Sequence, residues 1–119
     1  MSTHESVHQQ IATIKRIIRK DATGRRALCD AEGRMCAIGG LAYYGAQITK
    51  PQLRGCTNQY FEAVNVYDVL RIRFPVLAHL RASVIVQVND AHENLSTRRR
   101  ALCALFDQLE ATLRAKGIA

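Results

Sequence analysis

Two sets of side chains in this sequence could do chemistry: the thiol of Cys36, and the guanidiniums of Arg98, Arg99 and Arg100 together with Arg25 and Arg26. Cys36 stands at the head of a segment that reads as a helix, where the positive end of the helix dipole favours a thiolate nucleophile. A thiol enzyme also needs a histidine base and an orienting group, and His79 or His92 with Asn89 or Asp90 are the later residues able to serve. Four histidines and four cysteines produce such pairs by chance, and a cysteine beside glycines is ordinarily a small core residue. Cys36 therefore stays the one catalytic candidate, and a protein that is not an enzyme is the preferred reading. Asn89-Asp90 has the residue types of a catalytic or metal-binding pair. Short polar side chains of this kind more often close a helix or hydrogen-bond backbone groups in a turn.

Arg98-Arg99-Arg100 occupies what reads as the first turn of the closing helix. Cations there oppose the helix dipole, each by about 0.3–1 kcal/mol when exposed at low salt. No acid lies closer in sequence than Glu93 and Asp107. Free amides at a helix start beside guanidinium forks make an anion site suited to a phosphate or to a partner's carboxylate. The alternative is that Glu93 or Asp90 folds back to neutralise the triplet. Lys15-Arg16 and Arg19-Lys20 need no such account, because they fall near the C-terminal end of a helix, where cations are favoured.

The formal charge of the chain is +7, from seventeen Lys and Arg against ten Asp and Glu. The first sixty residues hold nine bases and four acids, so the excess is mostly N-terminal. Such a balance points to a polyanion or an acidic protein surface as partner. Cys29, Cys36, Cys56 and Cys103 include no C-x2-C pair, so neither a zinc site nor any other metal site is expected. Gly40-Leu41-Ala42-Tyr43-Tyr44-Gly45 has the glycine spacing of a phosphate-binding loop, but Ala46-Gln47 replaces the Lys-Ser/Thr that must follow. No cofactor is expected. No apolar run reaches the length of a membrane span, and Met1 to Glu5 lacks the basic and apolar regions of a secretory signal, which together predict a cytoplasmic protein with free thiols and no membrane partner.

These residues must be positioned by helices. Val7, Ile11, Ile14, Ile17 and Ile18 predict an amphipathic helix over 3–20, with Ser2 and Glu5 as its capping box. Gly24, Asp30, Glu32 and Gly33 predict a loop over 21–34 with a short β-hairpin near 28–36. A helix with a face of small residues follows from about Met35 to Gln47, and 48–57 reads as a connecting loop ending in Thr57 as an N-cap. Phe61, Val64, Tyr67 and Leu70, broadened by Val66 and Val69, mark a helix over 58–72 that Pro75 stops. Residues 83–88 fit either a helix or a strand, and length favours the helix. Asn89 to Asn94 reads as a polar break. Ser96 or Thr97 then caps a last helix to about Lys116, terminated by Gly117, with Leu102, Leu105, Phe106, Leu109 and Leu113 as its core stripe. The expected fold is mainly α, a single helical domain of four to five helices spanning residues 1–119, without internal repeats.

Asp30, Gly33, Cys36, Gly39, Gly40 and Leu41, followed later by Asn89-Asp90 and the closing helix, resemble a family of small uncharacterised bacterial, prophage and phage proteins. Such proteins pair a D-x-x-G-x-x-C-x-x-G-A-L segment with an N-D ahead of a last helix. The tryptophans they carry just before the Cys and the Asn are Met35 and Val88 here. The resemblance implies a helical cytoplasmic domain and supplies no activity. Together these readings predict a non-enzymatic binding or regulatory accessory protein of phage or prophage origin, engaging an acidic protein partner through its basic surface. The alternatives are a nucleic-acid-binding protein contacting phosphates through Arg98, Arg99, Arg100, Arg25 and Arg26, and a thiol enzyme using Cys36. The segment before the closing helix does not read as a helix-turn-helix, and seven aromatic residues without a Trp offer little for base stacking.

Overall fold

Ser6, not Ser2, starts the first helix: its Oγ accepts the Gln9 N–H and the Gln9 side chain accepts the Ser6 N–H. The pattern is again a Ser followed three residues on by a polar acceptor, here with a neutral Gln. Glu5 instead pairs with Arg73. The computed structural model describes residues 5–54 and 59–119, with side chains for all of these except 59–64, so Ser2, Thr57, Cys56 and the packing of Phe61 and Val64 lie outside the described residues.

Helix α1 (Val7–Lys20) buries Val7, Ile11, Ile14, Ile17 and Ile18. It packs antiparallel against the last helix, α6 (Leu95–Ala115), with His8 near Glu110, Lys15 on Asp107 and Arg99 on the carbonyl of Asp21. Leu102, Phe106, Leu109 and Leu113 form the buried stripe of α6, as their spacing predicts. Asn94, rather than Ser96 or Thr97, caps it by accepting the Thr97 N–H. Gly117, at φ 75°, ends it.

Between these two helices the chain is less regular. The expected hairpin is reduced to a single Cys29–Met35 bridge around a turn in which Asp30 accepts the Glu32 and Arg34 amides and pairs with the Arg34 guanidinium. The small-residue helix is α2 (Ala37–Gly40), continued by a π-helical turn over Leu41–Gly45. The expected loop 48–57 contains a short helix instead, α3 (Lys50–Arg54), started by a reciprocal Thr49–Gln52 cap. Its Pro51 lies in the first turn, where a missing N–H costs nothing.

Helix α4 (Gln59–Arg73) buries Tyr67 and Leu70 but leaves Val69 exposed. Phe74 fills the core beyond it, and Pro75 opens a 3-10 turn over Pro75–His79. Residues 83–88 are helical, in α5 (Ala82–Ala91). Asn89 and Asp90 belong to that helix, so the polar break is confined to His92–Asn94. Six α-helices and no strand, among the described residues, make one mainly α domain.

Candidate functional site

The ends of α1, α5 and α6 meet at one corner, and Arg25, Arg26, Arg98 and Arg99 meet there with Asn89, Asp90 and His92. Arg98 is 3% exposed. Its Nε donates to the His92 carbonyl at 2.8 Å, one Nη to the Ala22 carbonyl at 2.7 Å and the other to the Glu93 carbonyl at 2.9 Å. Arg99 Nε donates to the Asp21 carbonyl at 2.8 Å, and Arg25 donates through Nε and Nη2 to the Asp90 carbonyl at 3.3 and 2.9 Å. All five carbonyls sit at or within two residues beyond the C-terminal ends of α1 and α5, near the negative ends of their dipoles. Arg98 and Arg99 thus oppose the dipole of α6, their own helix, and with Arg25 complement those of α1 and α5. Neither Glu93 nor Asp90 folds back as an ion-pair partner for the triplet; backbone oxygen takes that role for Arg98 and Arg99.

Burial holds the Arg98 guanidinium below its ordinary value, with Arg25 and Arg99 acting in the same direction and Asp90 against them. Arg26 contributes its backbone, which adopts φ 66° and donates its N–H to Asp90 Oδ1, while its side chain is exposed. Arg100 is exposed and has no ion pair or hydrogen-bond partner among the described residues. The five arginines proposed from sequence therefore divide into three that are tied to carbonyls and two whose guanidiniums face solvent.

Asn89 locks the same corner from within. Its Oδ1 accepts the Ala37 N–H at 3.0 Å, and its Nδ2 donates to the Gly24 carbonyl at 3.1 Å and to Asp90 Oδ1 at 3.0 Å. It satisfies backbone groups, as expected of such a side chain, but distant ones rather than those of its own turn. The segment after Cys36 and the end of α5 are thereby joined, because Ala37 follows Cys36 directly.

Cys36 caps α2, its Sγ accepting the Gly39 N–H at 3.5 Å. Burial pushes its thiol up to about 11, and the helix-start amides only partly offset this. The dipole argument for a thiolate fails because the group is desolvated on every side. His79 is exposed on the 3-10 turn, and no histidine bonds to Cys36 among the described residues. The pH consequence follows from linkage. A thiol that ionises near about 8.5 when unfolded, and only near 11 when folded, contributes stability below the unfolded value that is lost as pH rises through the folded one. The unfolding free energy of the native protein, measured by urea titration, is expected to fall between pH about 8.5 and 11 more steeply than that of Cys36→Ala, by at most about 1.4 kcal/mol per pH unit. Parallel pH curves for the two proteins would show that Cys36 ionises freely.

A second surface carries features that the sequence reading passed over. Two adjoining clefts, of about 760 and 230 Å³, share Gly45 and Arg73. Val69, Ile72 and Ala46 line the larger; Arg16, Lys20 and Tyr44 line the smaller. Ile72 is 83% exposed, Val69 45% and Tyr44 41%. Lys20 Nζ lies 5.9 Å from the centre of the Tyr44 ring. The sign of this surface was legible in Val66, Val69 and Ile72, which recur every three residues as a second apolar row on α4 beside the buried Tyr67 and Leu70.

No group of three or more His, Cys, Asp or Glu able to hold a metal occurs among the described residues, and none of the described helices is long and apolar enough to cross a membrane. Compared with protein-family models, with curated proteins and with solved structures, the chain matches none.

Proposed function

We propose that this chain is a non-enzymatic binding module that engages an acidic protein partner through cations of α1 and the start of α6, as an accessory or regulatory protein of the phage and prophage type it resembles. One observation carries the reading: Arg16, Arg19, Lys20 and Arg100 are exposed and have no carboxylate partner among the described residues. Most acids are engaged elsewhere, Glu5 with Arg73, Asp30 and Glu32 with Arg34, Asp68 with Arg71, Asp107 with Lys15, and Glu110 with His8 and Arg114. An excess of unpaired cations on a +7 chain favours an anionic surface and speeds its encounter. Nucleic acid is the weaker reading, since Arg98 and Arg99 direct hydrogen bonds to backbone carbonyls and the triplet offers phosphates little beyond Arg100.

Fluorescence anisotropy of labelled poly-glutamate, duplex DNA and single-stranded RNA over a range of salt concentrations tests this. Poly-glutamate is expected to bind in a salt-sensitive way, and the Arg16→Gln, Arg19→Gln, Lys20→Gln variant to bind it about tenfold more weakly. Tighter binding of DNA or RNA than of the peptide, with a steep salt slope, would transfer the function to nucleic acid, and no binding at low salt would overturn the reading.

A further inference from the structure

We infer that the groove formed by α1, the π-helical turn and α4 takes an acidic, amphipathic segment of a protein partner, its apolar side chains on Val69, Ile72 and Tyr44 and its carboxylates on Arg16 and Lys20. The inference deepens the proposed function and rests on it. Four large hydrophobic side chains are exposed among the described residues, and three of them, Tyr44, Val69 and Ile72, line the two adjoining clefts. Scattered exposed apolar residues are ordinary, whereas a cluster of them along a groove marks a contact surface. The polar rim is cationic. Arg16 and Lys20 stand one helical turn apart on α1, and the one carboxylate lining either cleft, Glu5, is held by Arg73 at 2.9 Å.

Charge and shape select the occupant. A second copy of the chain would bring another +7 against the same rim, and like charges suppress association. Duplex or single-stranded nucleic acid would match the cations, but it gains nothing from two aliphatic side chains, and Tyr44 alone cannot form a run of stacking platforms. A bilayer is flat and could not follow a concave surface down to Gly45 and Ala46. A peptide that alternates carboxylates with apolar side chains satisfies both halves of the groove, the apolar anchors supplying affinity and the cations register and encounter rate.

Two labelled glutamate-rich peptides of equal length and charge, one interrupted by leucines at helical spacing and one by serines at the same positions, test the assignment by anisotropy. The leucine-bearing peptide is expected to bind about tenfold tighter, the effect of covering one aliphatic side chain. Ile72→Ser, at an exposed position that the core does not use, is expected to remove that margin while leaving the affinity for the serine peptide unchanged. Val69→Ser should act in the same direction. Arg16→Gln with Lys20→Gln should weaken both peptides. Equal affinity for the two peptides, or no effect of Ile72→Ser on the margin, overturns the groove assignment while the cationic reading survives. Failure of both peptides to bind overturns both.

Discussion

Gly39→Ala is expected to destabilise the fold by about 3 kcal/mol or more, lowering the thermal midpoint by 10 °C or so on the usual scaling for a domain of this size. A Cβ at Gly39 would lie 1.9 Å from the carbonyl oxygen of Leu28 and 2.9 Å from its carbonyl carbon. Both are backbone atoms next to Cys29, which is bridged to Met35, so no side-chain rotation can relieve the overlap. Gly40 provides the control. It has ordinary helical backbone angles, and a Cβ there would meet Asp21 Cβ at 3.5 Å and Ile17 Cγ2 at 3.8 Å, which is normal contact. Gly40→Ala is therefore expected to be neutral, or to stabilise by up to about 1 kcal/mol through helix propensity. Urea unfolding of the two variants, followed by circular dichroism, measures the contrast. Equal midpoints would mean that the α2–Leu28 approach is not what the adjacent glycines serve.

That contrast also shows what a sequence can and cannot disclose. The glycine pair announces a close approach of helices, but which of the two is required depends on Leu28, a residue outside any periodic pattern. The same division runs through the fold. α1 and α6 are legible because long apolar stripes at a 3.6-residue period have one solution, and their apolar stripes are buried as expected except that Leu105 is only half-buried, while the burial of Gln10 and Arg98 is not part of the pattern. The cap of α1 was misplaced by four residues because Ser2-x-x-Glu5 and Ser6-x-x-Gln9 present the same motif in succession. α3 was missed because a five-residue helix has no period to detect; only the reciprocal Thr49–Gln52 cap marks it. In α4 the spacing puts Tyr67 and Leu70 on the main apolar row with Val66 and Val69 beside it, and does not set how far the buried face extends. The structure buries Tyr67 and Leu70 and leaves Val69 and Ile72 exposed. The candidate site was legible in charge but not in geometry. An arginine whose acceptors lie at Ala22, His92 and Glu93 looks in sequence like any surface cation at a helix start.

Arg98→Ala is expected to lower stability by about 3 kcal/mol, whereas Arg100→Ala should change it by no more than about 0.5 kcal/mol. The Arg98 guanidinium supplies donors to three carbonyls from two different helix ends, and truncation leaves the buried Ala22 carbonyl without a donor while opening a void at the corner. Against this loss stands the relief of a cation that is desolvated and faces Arg25 and Arg99. Arg98→Met keeps most of the side-chain volume and takes that relief without the void, so it should cost less than alanine. Lysine separates charge from shape. A single ammonium cannot reach the Ala22, His92 and Glu93 carbonyls with the geometry of a planar fork, so Arg98→Lys should recover only part of the stability. The expected order of urea midpoints is native, then lysine or methionine, then alanine. Hydrogen exchange should localise the damage to the amides at the C-terminal ends of α1 and α5, the elements whose carbonyls lose their donor. An Arg98→Ala protein as stable as the native one, but weaker toward poly-glutamate, would return the triplet to the ligand-facing role that its position at a helix start implies. Loss of stability with peptide affinity intact would separate the two groups of cations, the carbonyl-bound arginines that close the corner and the solvent-facing ones that meet the partner.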